Sequence, residues 1–293
     1  MPFTLKIQSK TLFGNKKVDF KQLLINCGLR FGHDNEFYII ENGMVDNTAI
    51  LYNPKRIGRG IFFDGREMQE GKVLISYNIP TTETEINDFI NVVIELKKQL
   101  KKISIVCEET KQEYTLNQLI DSKEEMVRFS LEKLNEFCSN KEYTSNVLTL
   151  AYWPFVLPDE NVKKFASCTD LKEFEQLIHS KQDIDVYYAK PTFYKNRDGN
   201  IIANYVLTEE CESIFPIKSD GYFATNKIEI DEGLVCFYIL SEDRMIDGAY
   251  NYDKFIEYIM HKKCQYFDKS HIIVPSMSKE ELVEMAKALQ DAV

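Results

Sequence analysis

The stretch 83–102 constrains the fold most, because it reads as one long amphipathic helix. Ile86, Phe89, Ile90, Val93, Leu96 and Leu100 recur at the helical period, which places them on a single apolar face that has to be buried. Thr82 followed by Glu85 has the spacing of a capping box, so the helix is expected to begin there. Such a face needs a second layer to pack against. The neighbouring segments offer one, since Phe3–Gln8, Glu36–Glu41, Ala49–Asn53, Ile61–Phe63, Lys72–Ile79 and Ile103–Glu108 are rich in branched and aromatic residues and read as strands.

The rest of the chain repeats these signals. Val127, Leu131, Leu134 and Cys138 mark a helix over 123–138, and Leu282, Met285, Ala286 and Leu289 mark one over 279–290 behind Ser278 and Glu281. Tyr252, Phe255, Ile256 and Ile259 predict a helix over 252–263 behind Asn251. Asp19 with Gln22, Asp170 with Glu173 and Thr115 with Gln118 open shorter helices. Further strands are expected at Ile184–Ala189, Ile201–Leu207, Leu234–Leu240 and His271–Val274, with Asp198-Gly199 as a tight primed hairpin turn. The segment 31–36, Phe31-Gly32-His33-Asp34-Asn35-Glu36, reads as a polar loop between helix and strand.

The fold class implied is α+β, with mostly antiparallel sheets and packed helices. The order of elements is similar in the two halves, which suggests two related α/β units and a tandem duplication. The expected division is an N-terminal unit over 1–139, an apolar linker over 140–168 and a C-terminal unit over 169–293. The stretches 73–106 and 234–274 are each expected to add a parallel crossover. Within the linker stands Trp153, the sole tryptophan, flanked by Tyr152, Pro154 and Phe155. It is read either as packing or as an aromatic contact to a ligand or partner.

Charge and cysteine usage narrow the function classes. The formal net charge is −10, the wrong sign for a general nucleic-acid binder. Lys6, Lys10, Lys16, Lys17, Lys21 and Arg30 nevertheless face one acid, Asp19, within residues 1–30. The seven cysteines are scattered and form no C-x-x-C pair, and the segment Met1–Lys6 lacks the apolar core of a signal peptide. The expectation is a cytoplasmic location, no membrane span and no disulfide framework. Gly-rich phosphate loops, H-E-x-x-H and G-x-S-x-G are absent from the sequence. His261 and Cys264 share a helix face, but a zinc site needs more ligands than this pair. No cofactor, metal or catalytic residue is expected.

One segment points to chemistry: Tyr52-Asn53-Pro54-Lys55-Arg56-Ile57-Gly58-Arg59-Gly60. Glycines at 58 and 60 permit positive φ, so backbone N–H groups could converge on an anion. Arg56 and Arg59 would add planar, bidentate donors. The alternative is a surface hairpin whose arginines pair with carboxylates. The candidate binding residues are therefore Asn53, Arg56, Arg59 and Trp153.

The start Phe3-Thr4-Leu5-Lys6-Ile7 with Thr11-Leu12-Phe13-Gly14, the segment from Tyr52 to Gly60, the run Tyr187-Tyr188-Ala189-Lys190-Pro191 and Ile214-Phe215-Pro216 resemble a bacterial family known only as a domain of unknown function, number 4299 of that series. The resemblance covers nearly the whole chain. It implies a cytosolic bacterial protein and supplies no activity, cofactor or site residue.

With no catalytic constellation present, the leading expectation is a non-catalytic binding or interaction protein. One version neutralises a basic protein partner, as an immunity protein does. The alternatives are an enzyme acting on a small anionic or phosphorylated ligand held by Arg56 and Arg59, and a nucleic-acid-associated protein using the basic N-terminus.

Overall fold

The structure is a computed structural model that describes residues 2–10, 17–140, 146–220, 229–262 and 264–290. Thr11–Gly14, Lys16 and the far end of the expected 252–263 helix at Lys263 lie outside the described residues. The chain forms two compact units, Met1–Asp183 and Ile184–Val293. The apolar stretch around Trp153 and the helix near 172–180 thus belong to the first unit, beyond the 139/140 division drawn from sequence.

The first unit begins β1 (Pro2–Ser9), α1 (Phe20–Cys27), β2 (Arg30–Asp34), β3 (Ile40–Glu41), β4 (Thr48–Tyr52), β5 (Ile61–Asp64) and β6 (Lys72–Asn78). It continues α2 (Glu83–Leu100), β7 (Ile103–Cys107), β8 (Glu113–Tyr114), α3 (Leu116–Asp121) and α4 (Lys123–Ser139). The hairpin β9 (Val147–Thr149) and β10 (Pro154–Val156), then α5 (Asp159–Phe165) and α6 (Lys172–Ser180), complete it. β1–β8 form one antiparallel sheet in the order β3-β2-β4-β5-β6-β1-β7-β8.

Period-two alternation explains the two faces of this sheet. Leu5, Ile7, Ala49, Leu51, Ile61, Phe63, Val73, Ile75 and Ile105 point one way and are buried with Ile86, Phe89, Val93 and Leu96 of α2. Each such side chain larger than Ala49 contributes about 1.5–3 kcal/mol on burial. Phe62 and the half-buried Ile50 and Ser76 lie on the opposite face and are mutually in register. β6 and β7 flank β1 and are both antiparallel to it, so the expected crossover through α2 exists with β1 inserted between its strands.

The segment 31–36 is not the polar loop expected: residues 30–34 are β2, paired with β4. Gly, His and Asp have little strand preference, so the local signal is weak. The partner strands impose the pairing, and a Cβ at Gly32 would come within 2.5 Å of Glu41 O.

The second unit contains β11 (Tyr187–Tyr188), β12 (Thr192–Lys195), β13 (Ile201–Thr208), β14 (Ser213–Pro216) and β15 (Glu232–Ile239). After these come β16 (Arg244–Met245), β17 (Tyr250–Asn251), α7 (Tyr252–His261), β18 (Gln265–Tyr266), β19 (His271–Val274) and α8 (Lys279–Gln290). One sheet runs β12-β13-β15-β16 with β17 also on β15, and the other runs β11-β14-β19-β18. Tyr205, Leu207, Val235 and Phe237 pack with Phe255, Ile259, Leu282 and Met285. Pairings β11–β14 and β13–β15 are parallel, the other strand pairings among the described residues antiparallel. β15 and β19 lie in different sheets, so the expected crossover over 234–274 does not form. The strand orders of the two units differ, and the topology lends no support to a duplication. The β12–β13 hairpin is present, but a five-residue loop, 196–200, closes it in place of a two-residue primed turn. There Asn196 Oδ1 accepts from the N–H groups of Asp198 and Asn200.

Among the described residues, no helix is long and apolar enough to cross a membrane.

Candidate functional site

The loop 53–60 leaves β4 and returns as β5, and its backbone is held from several sides within the first unit. Asn53 Oδ1 accepts from Lys55 N at 3.0 Å, and Asn53 Nδ2 donates to Asp88 Oδ2 at 3.0 Å. Ile57 N donates to His179 Nδ1 at 3.2 Å. Gln182 Nε2 donates to Gly58 O at 2.9 Å, while its Oε1 accepts from Tyr152 N at 2.9 Å. Ala151 N also donates to Gly58 O, at 3.2 Å.

The two glycines serve a carboxylate inside the protein. Gly60 has φ +86°, and its N–H donates to Glu85 Oε2 at 2.6 Å. A Cβ at Gly58 would stand 2.5 Å from the same oxygen. Glu85 is buried, and its other oxygen accepts from the Thr81 hydroxyl. The place that this loop was read to offer an anion is therefore taken by a carboxyl group of the chain itself. Thr82 caps α2 through Glu85 N as expected, but the Glu85 carboxylate turns to Gly60 and Thr81. Burial raises the Glu85 pKa despite those two hydrogen bonds and the nearby Arg59 charge, so its environment favours the neutral acid.

Arg59 turns inward. Its Nε donates to Thr149 O at 3.0 Å and its Nη1 to Pro80 O at 2.8 Å. Nη2 has no hydrogen-bond partner and the guanidinium no ion pair among the described residues. The side chain is half-buried, and desolvation lowers its pKa to about 10. The group remains cationic at neutral pH and is only weakly compensated by Glu85. It lines a pocket of about 280 Å³ on the side of the sheet that carries Ile50 and Phe62, together with Asp34, Tyr38, Ser76 and Asn78.

The four sequence candidates do not converge. Arg56 is exposed and lines a separate groove of about 780 Å³ that involves α2, α4 and α6. Asn53 is committed to Asp88 and to its own loop. Trp153 is buried, with its indole N–H donating to Lys181 O at 3.2 Å. Arg56 and Arg59 thus line different pockets, and Asn53 and Trp153 line neither of the two. Sequence reasoning missed Asp34, Tyr38 and Phe62. The available signal was the pattern Ile61-Phe62-Phe63, in which period two forces one phenylalanine outward.

Asp88 carries a pH signature. Burial, with the Glu175 charge adding to it, pushes its pKa up to about 6 against the Asn53 hydrogen bond. As pH rises, the unfolded chain ionises this group first, so stability falls between the ordinary aspartate range and about pH 6, then levels off. Asp88→Asn is expected to raise stability by about 1–2 kcal/mol above pH 6, with the shift discounted for partial exposure. It should change little below pH 4. Thermal melts of both proteins from pH 3.5 to 8 read this directly.

Other chemistry is less well placed. All seven cysteines are free, and burial pushes the Cys27 and Cys138 thiols up to about 11 and about 12, which suppresses the reactive thiolate. Among the described residues, no group of three or more His, Cys, Asp or Glu could hold a metal. In the second unit, Tyr188 OH, His271 and Asp268 form a chain with contacts of 3.0 and 2.9 Å. All three are buried, His271 at 0% exposure, so the chain is a polar element of the core. In the basic N-terminal stretch, Lys10 is paired with Glu113, and the charge of Lys6 acts on Glu108.

Fold and site define an α+β protein whose first unit bears an arginine-lined pocket on an antiparallel sheet. Residues 3–285 match the family described as Domain of unknown function (DUF4299), and the chain belongs to that family, as its resemblance indicated. No curated protein and no solved structure matches the chain.

Proposed function

We propose that the first unit is a non-catalytic binding module for a small carboxylate- or phosphate-bearing molecule, held in the pocket lined by Arg59. The observation behind this reading is the guanidinium itself. It is desolvated, bonded to two carbonyls that fix its plane, and left with a free Nη2 edge and no ion pair among the described residues. A partly desolvated cation without an ion-pair partner is costly, and an anionic ligand relieves that cost with charge-assisted hydrogen bonds. The basic-partner version of a binding role draws on net charge alone, and the pocket gives a more specific ligand chemistry. Asp34, Tyr38 and Ser76 share the lining with Arg59, but among the described residues no hydrogen bond pairs any two of them into a nucleophile–base arrangement, which favours binding over catalysis.

The test is a thermal-shift series at low salt and pH 7 with acetate, malonate, citrate and phosphate against matched chloride. At ten times the dissociation constant, binding adds about 1.4 kcal/mol, or roughly 3 °C. At least one anion is expected to produce such a shift. Ser76→Phe fills the pocket from β6 while leaving Arg59 intact, and should abolish the shift, as should Arg59→Lys. A shift that persists in Ser76→Phe, or none with any anion, overturns the reading.

A further inference from the structure

The pocket offers more than a cation, and we infer that its ligand is a zwitterion, an α-amino acid with an apolar or aromatic side chain. This inference rests on the anion-binding reading above and specifies it. Asp34 lines the same pocket as Arg59. It is exposed at the end of β2 and makes no ion pair or hydrogen bond among the described residues. No ion pair forms between Asp34 and Arg59, so the two opposite charges do not neutralise each other across the pocket. A molecule carrying a carboxylate and an ammonium satisfies both at once. A simple anion leaves Asp34 as a repulsive neighbour, because like charges in one pocket oppose binding.

The remaining walls suit the third part of such a molecule. Phe62 and Tyr38 are each 39% exposed, unusual for aromatic rings that could have been buried, and both line this pocket. Tyr38 is held there by construction. Its backbone has φ +57°, a left-handed conformation that a bulky residue adopts only when its surroundings impose it. Asn35 imposes it, since its Oδ1 accepts from Phe37 N at 2.9 Å and Ile39 N at 3.2 Å and its carbonyl from Tyr38 N at 2.9 Å. Asn78 and Ser76 add neutral polar groups to the lining. A volume of about 280 Å³ accommodates an amino acid. Guanidinium, carboxylate and aromatic wall are thus three different recognition elements around one small space.

Isothermal titration of the full chain with matched sets separates the possibilities. The probes are L-phenylalanine, 3-phenylpropionate and 2-phenylethylamine, with L-leucine, 4-methylpentanoate and 3-methylbutylamine as a second set. The expected result is that at least one amino acid binds about tenfold or more tightly than both of its single-charge analogues, as loss of a charge-assisted contact in a pocket implies. Asp34→Asn, at an exposed position, should remove the amino acid's advantage over the carboxylate analogue, weakening the amino acid and strengthening that analogue as the repulsive charge is lost. If the carboxylate analogues bind as tightly as the amino acids and Asp34→Asn is silent, the zwitterion inference is overturned and the anion-binding reading stands. If the amines bind and the carboxylates do not, or if no probe binds in either set and no anion shifts the melting temperature, both are overturned.

Discussion

Glu85→Ala is expected to destabilise the first unit by about 2–4 kcal/mol. The substitution strands the N–H of Gly60 and the hydroxyl of Thr81 in a buried place and leaves a cavity at the start of α2. It also removes the group nearest in effect to the Arg59 charge. Glu85→Gln keeps the side-chain volume and one carbonyl to accept from Gly60, so it should recover most of the loss. The two variants also differ from wild type in pH response. Because the folded-state pKa of Glu85 is raised, wild-type stability falls as pH climbs past the ordinary glutamate value and the unfolded chain ionises first. The Gln variant lacks that fall. Denaturant unfolding of the transition belonging to the first unit, at pH 4 and pH 7.5, measures both effects. A loss under 1 kcal/mol for Glu85→Ala would show that the carboxylate does not organise this loop.

The second large effect belongs to Gly60→Ala, expected to cost about 2–4 kcal/mol from backbone strain and overpacking together. Gly60 sits at φ +86°, where a side chain is strained whatever the space around it. The space is also filled: an added Cβ would lie 2.4 Å from Ile50 Cγ2 and 3.4 Å from Ala151 Cβ. Ile50 is in register with Phe62 on the pocket side of the sheet, so the same change should displace the pocket wall. Gly28→Ala provides the comparison, since Gly28 also has positive φ, +68°, but nothing within 4 Å of an added Cβ. Its cost should be the conformational part alone, about 1 kcal/mol. Equal losses at the two positions would remove the packing argument.

How far the sequence could be read follows from which interactions are local. The stripe in 83–102 became α2 over Glu83–Leu100, and the stripe in 279–290 became α8 at the expected limits. Caps at Asp19, Thr82, Thr115 and Asn251 accept the expected backbone N–H groups. These features depend on residues three or four apart. β2 was not legible, because Arg30, Phe31 and Gly32 gain strand structure from β4, and His33 and Asp34 from β3, not from their own preferences. For the same reason Asp34 was out of view as a pocket residue. Glu85 shows the limit most clearly. Its spacing from Thr82 spelled a capping box, and half of that box exists, but a glycine 25 residues earlier competes successfully for its carboxylate. The loop 53–60 stood out in the sequence, yet its two arginines diverge, a consequence of contacts with His179, Gln182 and Thr149 far along the chain.

The measurement that bears most directly on the central proposal is the side-chain NMR signal of Arg59 itself. Its Nε–H is bonded to Thr149 O and shielded from solvent, which slows exchange enough for the resonance to be followed, and its absence in Arg59→Lys assigns it. Titration with malonate, phosphate, 3-phenylpropionate and L-phenylalanine should shift this resonance saturably with at least one of them, while the signal of exposed Arg56 stays in place. If Arg59 does not respond to any of the four, or if Arg56 responds instead, the pocket is not an anion-binding site and the proposed function is wrong.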